Sequence, residues 1–327
     1  MSVTIDDIEA AASRIGGLCL RTPLLESPPL AQRLGAAAAY LKPETLQRGG
    51  AFKFRGAMSR ISKMTPDELA RGVVAFSSGN HAQGVAIAAA MAGTAATIVI
   101  PSDAPRIKID ATRAAGATVR LYDRYTEDRE AIAAEIADGQ DAVVIPAFDD
   151  ADVIAGQGTL GLEIAAQALE AGGPLDILLS PVGGGGLIAG VSTALAARSA
   201  STKVYGVEPH GFDDTARSLA AGERLSNPAG ATGLCDALLS PSPGVLTFAI
   251  NRRTLAGVLV VTDDEVKTAM RYAFEKLKLV VEPGGAVGLA ALLAGKLDVA
   301  GKRVGVVLSG GNVDPAMFAD ILTEDVA

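Results

Sequence analysis

Along the chain, short runs of β-branched and other apolar residues alternate with longer, Ala-rich stretches. The apolar runs occupy residues 73–76, 96–100, 118–121, 142–145, 177–181, 203–207, 257–261 and 303–308. Most are apolar throughout and do not alternate, the pattern of strands covered on both faces. The stretches at 8–15, 54–64, 82–91, 106–115, 129–136, 158–169, 187–198, 264–277 and 286–294 predict helices. Strand–helix alternation means parallel sheets joined by right-handed crossovers, an α/β fold. Residues 84–100 carry no charge, but Gly93 and Thr94 interrupt them and Pro101 follows. They predict a buried helix and then a buried strand, not a membrane span. No long linker, internal repeat or low-complexity segment occurs. Ser240-Pro241-Ser242-Pro243-Gly244 has turn chemistry only.

Composition narrows the function. A length of 327 residues allows one large domain or two modest ones. With 29 basic and 37 acidic residues the net charge is −8, and no basic run occurs. Nucleic acid and anionic membrane are therefore not expected partners. Cys19 and Cys235 are too few for a disulfide framework, and the N-terminus lacks a signal pattern. The expectation is a soluble, cytoplasmic protein.

Candidate chemistry sits where apolar strands run into glycine-rich turns. Pro181-Val182-Gly183-Gly184-Gly185-Gly186-Leu187 takes a strand through four glycines into a helix. Glycines let backbone N–H groups approach an anion, and the helix N-terminus adds a positive dipole end, so phosphate binding is the natural reading. The alternative is a plain tight turn. The same loop fits a dinucleotide fingerprint through Gly184, Gly186 and Ala189, with Glu208 ending the next strand. That keeps a nicotinamide-dependent oxidoreductase open. Gly50-Ala51-Phe52-Lys53-Phe54-Arg55-Gly56-Ala57 places Lys53 between two aromatics at a helix start. A desolvated amine becomes nucleophilic toward carbonyls, which is Schiff-base chemistry. The bland reading is a lysine whose stem packs and whose head reaches water.

Phe76-Ser77-Ser78-Gly79-Asn80-His81 offers N–H groups to a small carboxylate, with Ser78 or Asn80 as helix N-cap. His81 reads as structural. Leu308-Ser309-Gly310-Gly311-Asn312 is another strand-to-glycine turn, whose Ser309 suits a ligand nitrogen. Glu208-Pro209-His210-Gly211-Phe212-Asp213-Asp214 gathers carboxylates after a strand. It suits a hard cation, or equally a helix N-terminal acid cluster. No zinc spacing and no Gly-x-Ser-x-Gly elbow occurs.

Taken in order, six segments resemble the fold-type II pyridoxal-phosphate enzymes, in the group of serine/threonine dehydratases and serine racemases. They are the stretch around Lys53, Ser77 to His81, Gly156-Gln157-Gly158-Thr159, Gly183 to Gly186, Glu282-Pro283 and Ser309 to Asn312. The resemblance spans nearly the whole chain. It implies a two-domain α/β architecture, each domain a mostly parallel sheet flanked by helices. The large cofactor domain would comprise 1–67 and 149–327 and the small, mobile, inserted domain 68–148, with pyridoxal 5'-phosphate in the cleft. It implies that Lys53 carries the cofactor and acts as base, and that Phe52 packs beside the ring. Asn80 would meet the phenolic oxygen, Gly183, Gly184, Gly185 and Gly186 the phosphate, and Ser309 the pyridine nitrogen. Glu282 also falls to cofactor binding.

The substrate carboxylate would lie on Ser77, Ser78, Gly79, Asn80 and His81, with Ser78 as a second base on the opposite face. Arg129 would meet a second substrate carboxylate; its bland alternative is an ion pair with Glu127 or Glu130. Glu208, Asp214 and the carbonyl of Phe212 would match a site for Mg2+ (or Ca2+ or Mn2+), although the family often has Ala where Phe212 stands. The implied function is α,β-elimination from L-threonine or L-serine, giving a 2-oxo acid and ammonia. The rivals are L-threo-3-hydroxyaspartate dehydration and serine racemisation. A nicotinamide oxidoreductase or a silent amino-acid sensor is more distant. A homodimer is expected, without the added regulatory domain of biosynthetic threonine dehydratases.

Overall fold

All eight apolar runs pair as strands. The computed structural model describes residues 3–104, 106–228 and 230–324. In chain order the elements are α1 (Ile5–Ile15), β1 (Leu25–Glu26), α2 (Pro28–Leu34), β2 (Ala38–Pro43), α3 (Lys53–Ile61), α4 (Pro66–Arg71), β3 (Val73–Phe76) and α5 (Asn80–Ala92). Next come β4 (Ala96–Pro101), α6 (Arg106–Ala114), β5 (Thr118–Tyr122), α7 (Arg129–Gln140), β6 (Val143–Val144), α8 (Ala151–Glu170), β7 (Ile177–Pro181) and α9 (Gly186–Arg198). The last are β8 (Lys203–Pro209), α10 (Asp214–Ala221), α11 (Val245–Thr254), β9 (Gly257–Val261), α12 (Asp263–Tyr272), α13 (Pro283–Leu293), β10 (Arg303–Leu308) and α14 (Pro315–Thr323).

The strands form two sheets. One has six strands in the order β1-β2-β10-β7-β8-β9, the other four in the order β5-β4-β3-β6. Every pairing is parallel except β1 with β2. Both faces of the large sheet are covered, which is why its strands read as continuous apolar runs. Leu179, Val306 and Leu308 join Val287 and Leu289 of α13 in one core. Their neighbours Leu178 and Val307 point the other way, into a core with Leu160 of α8 and Ile188 of α9. The period of two along β7 and β10 thus feeds two separate cores.

Two elements of this sheet escape the sequence pattern. β2 is Ala-rich and carries Lys42, yet Lys42 is fully buried. Its Nζ donates to Glu163, to the Thr22 carbonyl and to Gln167, so the charge is compensated within the protein. β1 is only two residues long. Helices α2, α4, α10, α11 and α14 were also not predicted. Of these, α2, α4 and α14 start from a capping side chain followed by proline more than from apolar periodicity, such as the Thr65–Glu68 capping box and Pro66 at the start of α4. The helix expected at 264–277 stops at Tyr272; a single π turn follows and Lys278 takes a left-handed conformation (φ 59°).

Helices α8 and α9 cross at backbone contact. A Cβ on Gly190 would lie 2.3 Å from the Ile154 carbonyl oxygen and 2.5 Å from the Gly158 nitrogen. Gly158 therefore has a packing cause in the close approach of α9, whereas Gly156 packs against α3, where a Cβ would lie 2.6 Å from the Arg55 carbonyl oxygen. Residues 84–100 form most of α5 and β4, as expected, and among the described residues no helix is long and apolar enough to cross a membrane. Cys19 and Cys235 are both free.

Candidate active site

Parallel sheets collect their loops at the carboxyl ends of the strands, and ligands bind there. β7 runs out into Gly183 to Gly186, β10 into Ser309, and β3 into Ser77 to Gly79. These three ends open on one cavity of about 370 Å³. Lining it are Phe52, Lys53, Ser77, Ser78, Gly79, Asn80, His81, Arg129, Gly183, Gly184, Gly185, Gly186, Glu282 and Ser309. Every residue expected to meet cofactor or substrate is thus in one place.

Lys53 opens α3. Its Nζ donates to the Ala147 carbonyl at 2.7 Å and stands 5.2 Å from the centre of the Phe52 ring. Burial pulls the amine down from its ordinary 10.5 to about 8. No carboxylate offsets that cost, so a good share of the amine is neutral and nucleophilic near physiological pH. Phe52 is fixed in turn, its N–H donating to the Ser309 carbonyl at 3.0 Å.

The glycine loop is held by contacts that only glycine allows. Gly185 has φ +91°, and a Cβ on Gly184 would stand 2.4 Å from Cγ of Phe148. The N–H groups of Gly183, Gly184, Gly185 and Gly186 have no acceptor among the described residues. Four unpaired donors at the N-terminus of α9 form a ready anion cradle.

In the Ser77 to His81 loop the structure corrects the expected cap. The N-cap of α5 is Gly79, not Ser78 or Asn80, and no side chain caps the helix. The Asn80 amide is committed elsewhere. Its Nδ2 donates to Glu282 Oε1 at 2.6 Å, and its Oδ1 accepts from Asn312 Nδ2 at 2.8 Å. The backbone N–H groups of Ser78, Asn80 and His81 consequently stay without an acceptor among the described residues, beside the cavity. His81 Nε2 donates to the Ile145 carbonyl at 2.9 Å. Burial, reinforced by the Lys53 charge, holds its pKa down at about 3. It is a neutral, structural histidine. Glu282 is buried, and burial together with the nearby Asp236 carboxylate raises it to about 8.

Arg129 does not make the surface ion pair with Glu127 or Glu130 that was the alternative to a substrate role. Its guanidinium lies 5.4 Å from the centre of the Phe76 ring, while Glu127 pairs with Arg120. Among the described residues no carboxylate pairs with Arg129.

Glu208, Phe212 and Asp214 lie outside the cavity. The Glu208 carboxylate accepts the N–H groups of Thr215 and Ala216 at 3.0 and 2.9 Å, so it caps α10. Asp214 Oδ1 accepts from Asn227, but its Oδ2 is buried without a partner. Burial, then the proximity of Asp214, raises Glu208 to about 8, and burial raises Asp214 to about 6. Among the described residues no group of three or more His, Cys, Asp or Glu is arranged to hold a metal.

Sequence reasoning missed two walls of the cavity, residues 146–149 and 236–241. Ala147 holds Lys53, Phe148 covers Gly184, and Asp149 accepts three N–H groups from Val245, Leu246 and Thr247 at 2.8, 2.9 and 3.1 Å. For residues 146–149 the available signal was position: the segment follows the predicted strand at 142–145, at the same end as the other loops.

Residues 16–310 match the protein family described as "Pyridoxal-phosphate dependent enzyme". The chain is 44% identical to the L-threo-3-hydroxyaspartate ammonia-lyase of Saccharomyces cerevisiae, covering 98% of this chain and 96% of that protein. It is 41% identical to the L-threonine ammonia-lyase of Thermotoga maritima, covering 98% of this chain and 79% of that protein. Maize serine racemase superposes with a TM-score of 0.92 at 36% identity, covering 98% of this chain and 97% of the maize chain.

Proposed function

This chain belongs to the family of pyridoxal-phosphate dependent enzymes, and from that premise we propose that it is a carbon–nitrogen lyase. It would convert a β-hydroxy amino acid into a 2-oxo acid and ammonia by α,β-elimination. The observation that carries this reading is the pairing, in one cavity, of a lysine amine lowered to about 8 with four glycine N–H groups lacking acceptors. These groups fit pyridoxal phosphate: the glycine N–H groups suit its phosphate and Lys53 its aldehyde. Phe52, Asn80, Glu282 and Ser309 would surround its ring. The cofactor, when bound, supplies an electron sink for the bond pair released at the substrate α-carbon.

The protein's own groups do the rest. The unpaired N–H groups of Ser78, Asn80 and His81, at the N-terminus of α5, bind the substrate carboxylate and orient the α-hydrogen. Lys53 would take the α-proton as base, and its ammonium would return a proton to the departing β-hydroxyl. Ser309 would offer the ring nitrogen a neutral hydroxyl in place of a carboxylate, a partner that would suit prompt elimination. Ser78, with a proton to exchange, is the candidate for the second face in racemisation.

L-Threonine and L-serine need nothing more. L-threo-3-hydroxyaspartate carries a second carboxylate, and Arg129 at the cavity, stacked on Phe76 and without a carboxylate partner among the described residues, favours that substrate. The likeness to the yeast hydroxyaspartate enzyme supports the same choice. Residues 68–148 are proposed to move as a unit over the bound substrate; the Lys108–Asp236 ion pair, with Asp236 at the cavity, would close that edge. A divalent cation is proposed at Glu208, the Phe212 carbonyl and Asp214, because Asp214 Oδ2 is a buried oxygen with no partner.

The test is the visible spectrum of the purified protein with pyridoxal phosphate, then 2-oxo acid release from the three substrates. A yellow protein that forms 2-oxo acid is expected, and Lys53→Ala should lose both properties. A colourless, inactive protein would overturn the reading. Arg129→Ala should cut kcat/KM for hydroxyaspartate by at least about tenfold and spare threonine. Equal effects on both would remove Arg129 from substrate choice.

A further inference from the structure

Helix α11 lies outside every motif in the sequence, yet it touches the glycine loop from behind. Thr247 Oγ1 donates to the Gly184 carbonyl at 2.7 Å, and the Gly244 N–H donates to the same oxygen at 3.3 Å. One turn on, Asn251 Nδ2 lies 3.4 Å from the Gly185 carbonyl, which also accepts the helical N–H of Ala189. Thr247 and Asn251 are both fully buried. The start of α11 is itself fixed by the Asp149 carboxylate, which takes its first three N–H groups. A Cβ on Gly244 would stand 2.3 Å from Asp149 Oδ1, so the contact is closed by a glycine.

In a trans peptide the C=O and the N–H of one unit point in opposite directions. The Gly184 carbonyl and the Gly185 N–H belong to one unit. Holding the carbonyl on α11 turns the Gly185 N–H away from α11. The Gly185 carbonyl, held by Ala189 and Asn251, orients the Gly186 N–H in the same way. Neither N–H has an acceptor among the described residues.

We propose that Thr247, with Asp149 as its anchor, is a positioning residue that aims the glycine-loop N–H groups at an anion and so sets the protein's affinity for the phosphate of its cofactor. This rests on the reading of the glycine loop as a phosphate site. Asp149 follows Phe148 and Ala147, so one four-residue wall fixes both the anion cradle and the lysine amine. Neither Thr247 nor Asp149 needs to touch the phosphate.

The experiment titrates the full chain, freed of cofactor, with pyridoxal phosphate and separately with pyridoxal, followed by visible absorption. Pyridoxal keeps the aldehyde and the ring but lacks the phosphate. Thr247→Val should weaken pyridoxal phosphate about tenfold, the worth of one hydrogen bond, and leave pyridoxal within about twofold. Thr247→Ser keeps the hydroxyl and should bind like the native chain. Asp149→Asn should move in the same direction as Thr247→Val, and it supplies the answer if Thr247→Val does not fold. Equal weakening of both ligands, or of neither, overturns the positioning role. A native chain that binds pyridoxal phosphate no better than pyridoxal would instead overturn the phosphate site itself.

Discussion

Arg55→Met is the most informative single perturbation of the scaffold behind the site. Arg55 stands two residues after Lys53 in α3, and its side chain is 1% exposed. It forms paired hydrogen bonds to two carboxylates, Glu44 at 2.7 and 2.9 Å and Glu163 at 2.7 and 3.0 Å. Those partners hold its guanidinium firmly charged despite burial. Removing it does not strand both acids. Lys42 Nζ remains 2.6 Å from Glu163, so only Glu44, fully buried, loses its counter-charge. One uncompensated buried charge costs about 3–5 kcal/mol. Unfolding entropy of about 2.1 cal/mol/K per residue gives about 0.7 kcal/mol/K over 327 residues, so Tm should fall by about 6 °C.

The diagnostic step is a second substitution. Arg55→Met with Glu44→Gln removes more polar contacts but no longer buries a lone charge, and the new amide oxygen can still accept from Thr22 Oγ1. The double variant should regain at least about half of the loss, roughly 2 kcal/mol or 3 °C by thermal melting. If the double variant melts at or below the single one, stranded charge is not the cause, and lost contacts are.

Lys53 should leave a pH signature in the cofactor-free chain. The folded amine gives up its proton near 8 and the unfolded one near 10.5, so stability should rise with pH across that window; Lys53→Met should flatten the rise, and an unchanged slope would contradict the lowered pKa. Gly190→Ala forces a methyl against the Ile154 carbonyl and should cost about 3 kcal/mol, or about 4 °C in Tm; a neutral result would mean that α8 and α9 can separate freely. Added Mg2+ should raise the Tm of the native chain but not of Asp214→Asn, and the same rise in both would place the cation elsewhere.

How much of this was legible beforehand follows from what each feature depends on. Strands such as Ile177–Pro181 and Arg303–Leu308 were readable because burial on both faces demands an unbroken apolar run. The helices beside them in the chain were readable where the apolar content is high, as in α9 after β7 and α13 before β10. β2 was not, because its buried Lys42 looks like a surface residue until Glu163 and Gln167 arrive from more than 120 positions away. The helix cap at Ser78 or Asn80 was misjudged for a similar reason. Asn80 has good capping chemistry, but Glu282 and Asn312 compete for its amide and win.

The sequence by itself determined the α/β class, the strand ends that carry chemistry and, through the ordered segments, the family. Those properties are local: a glycine run, a lysine between aromatics and an apolar stretch are written in adjacent residues. Only the tertiary structure decided what faces what. It put Ala147 on the Lys53 amine, Phe148 on Gly184, Thr247 behind the anion cradle and Arg129 on Phe76 in place of a surface ion pair. The low pKa of Lys53 belongs to the same category, since it arises from the desolvation that the assembled walls impose. Such contacts join residues 36 to 94 positions apart, and no local pattern encodes them before the sheets close.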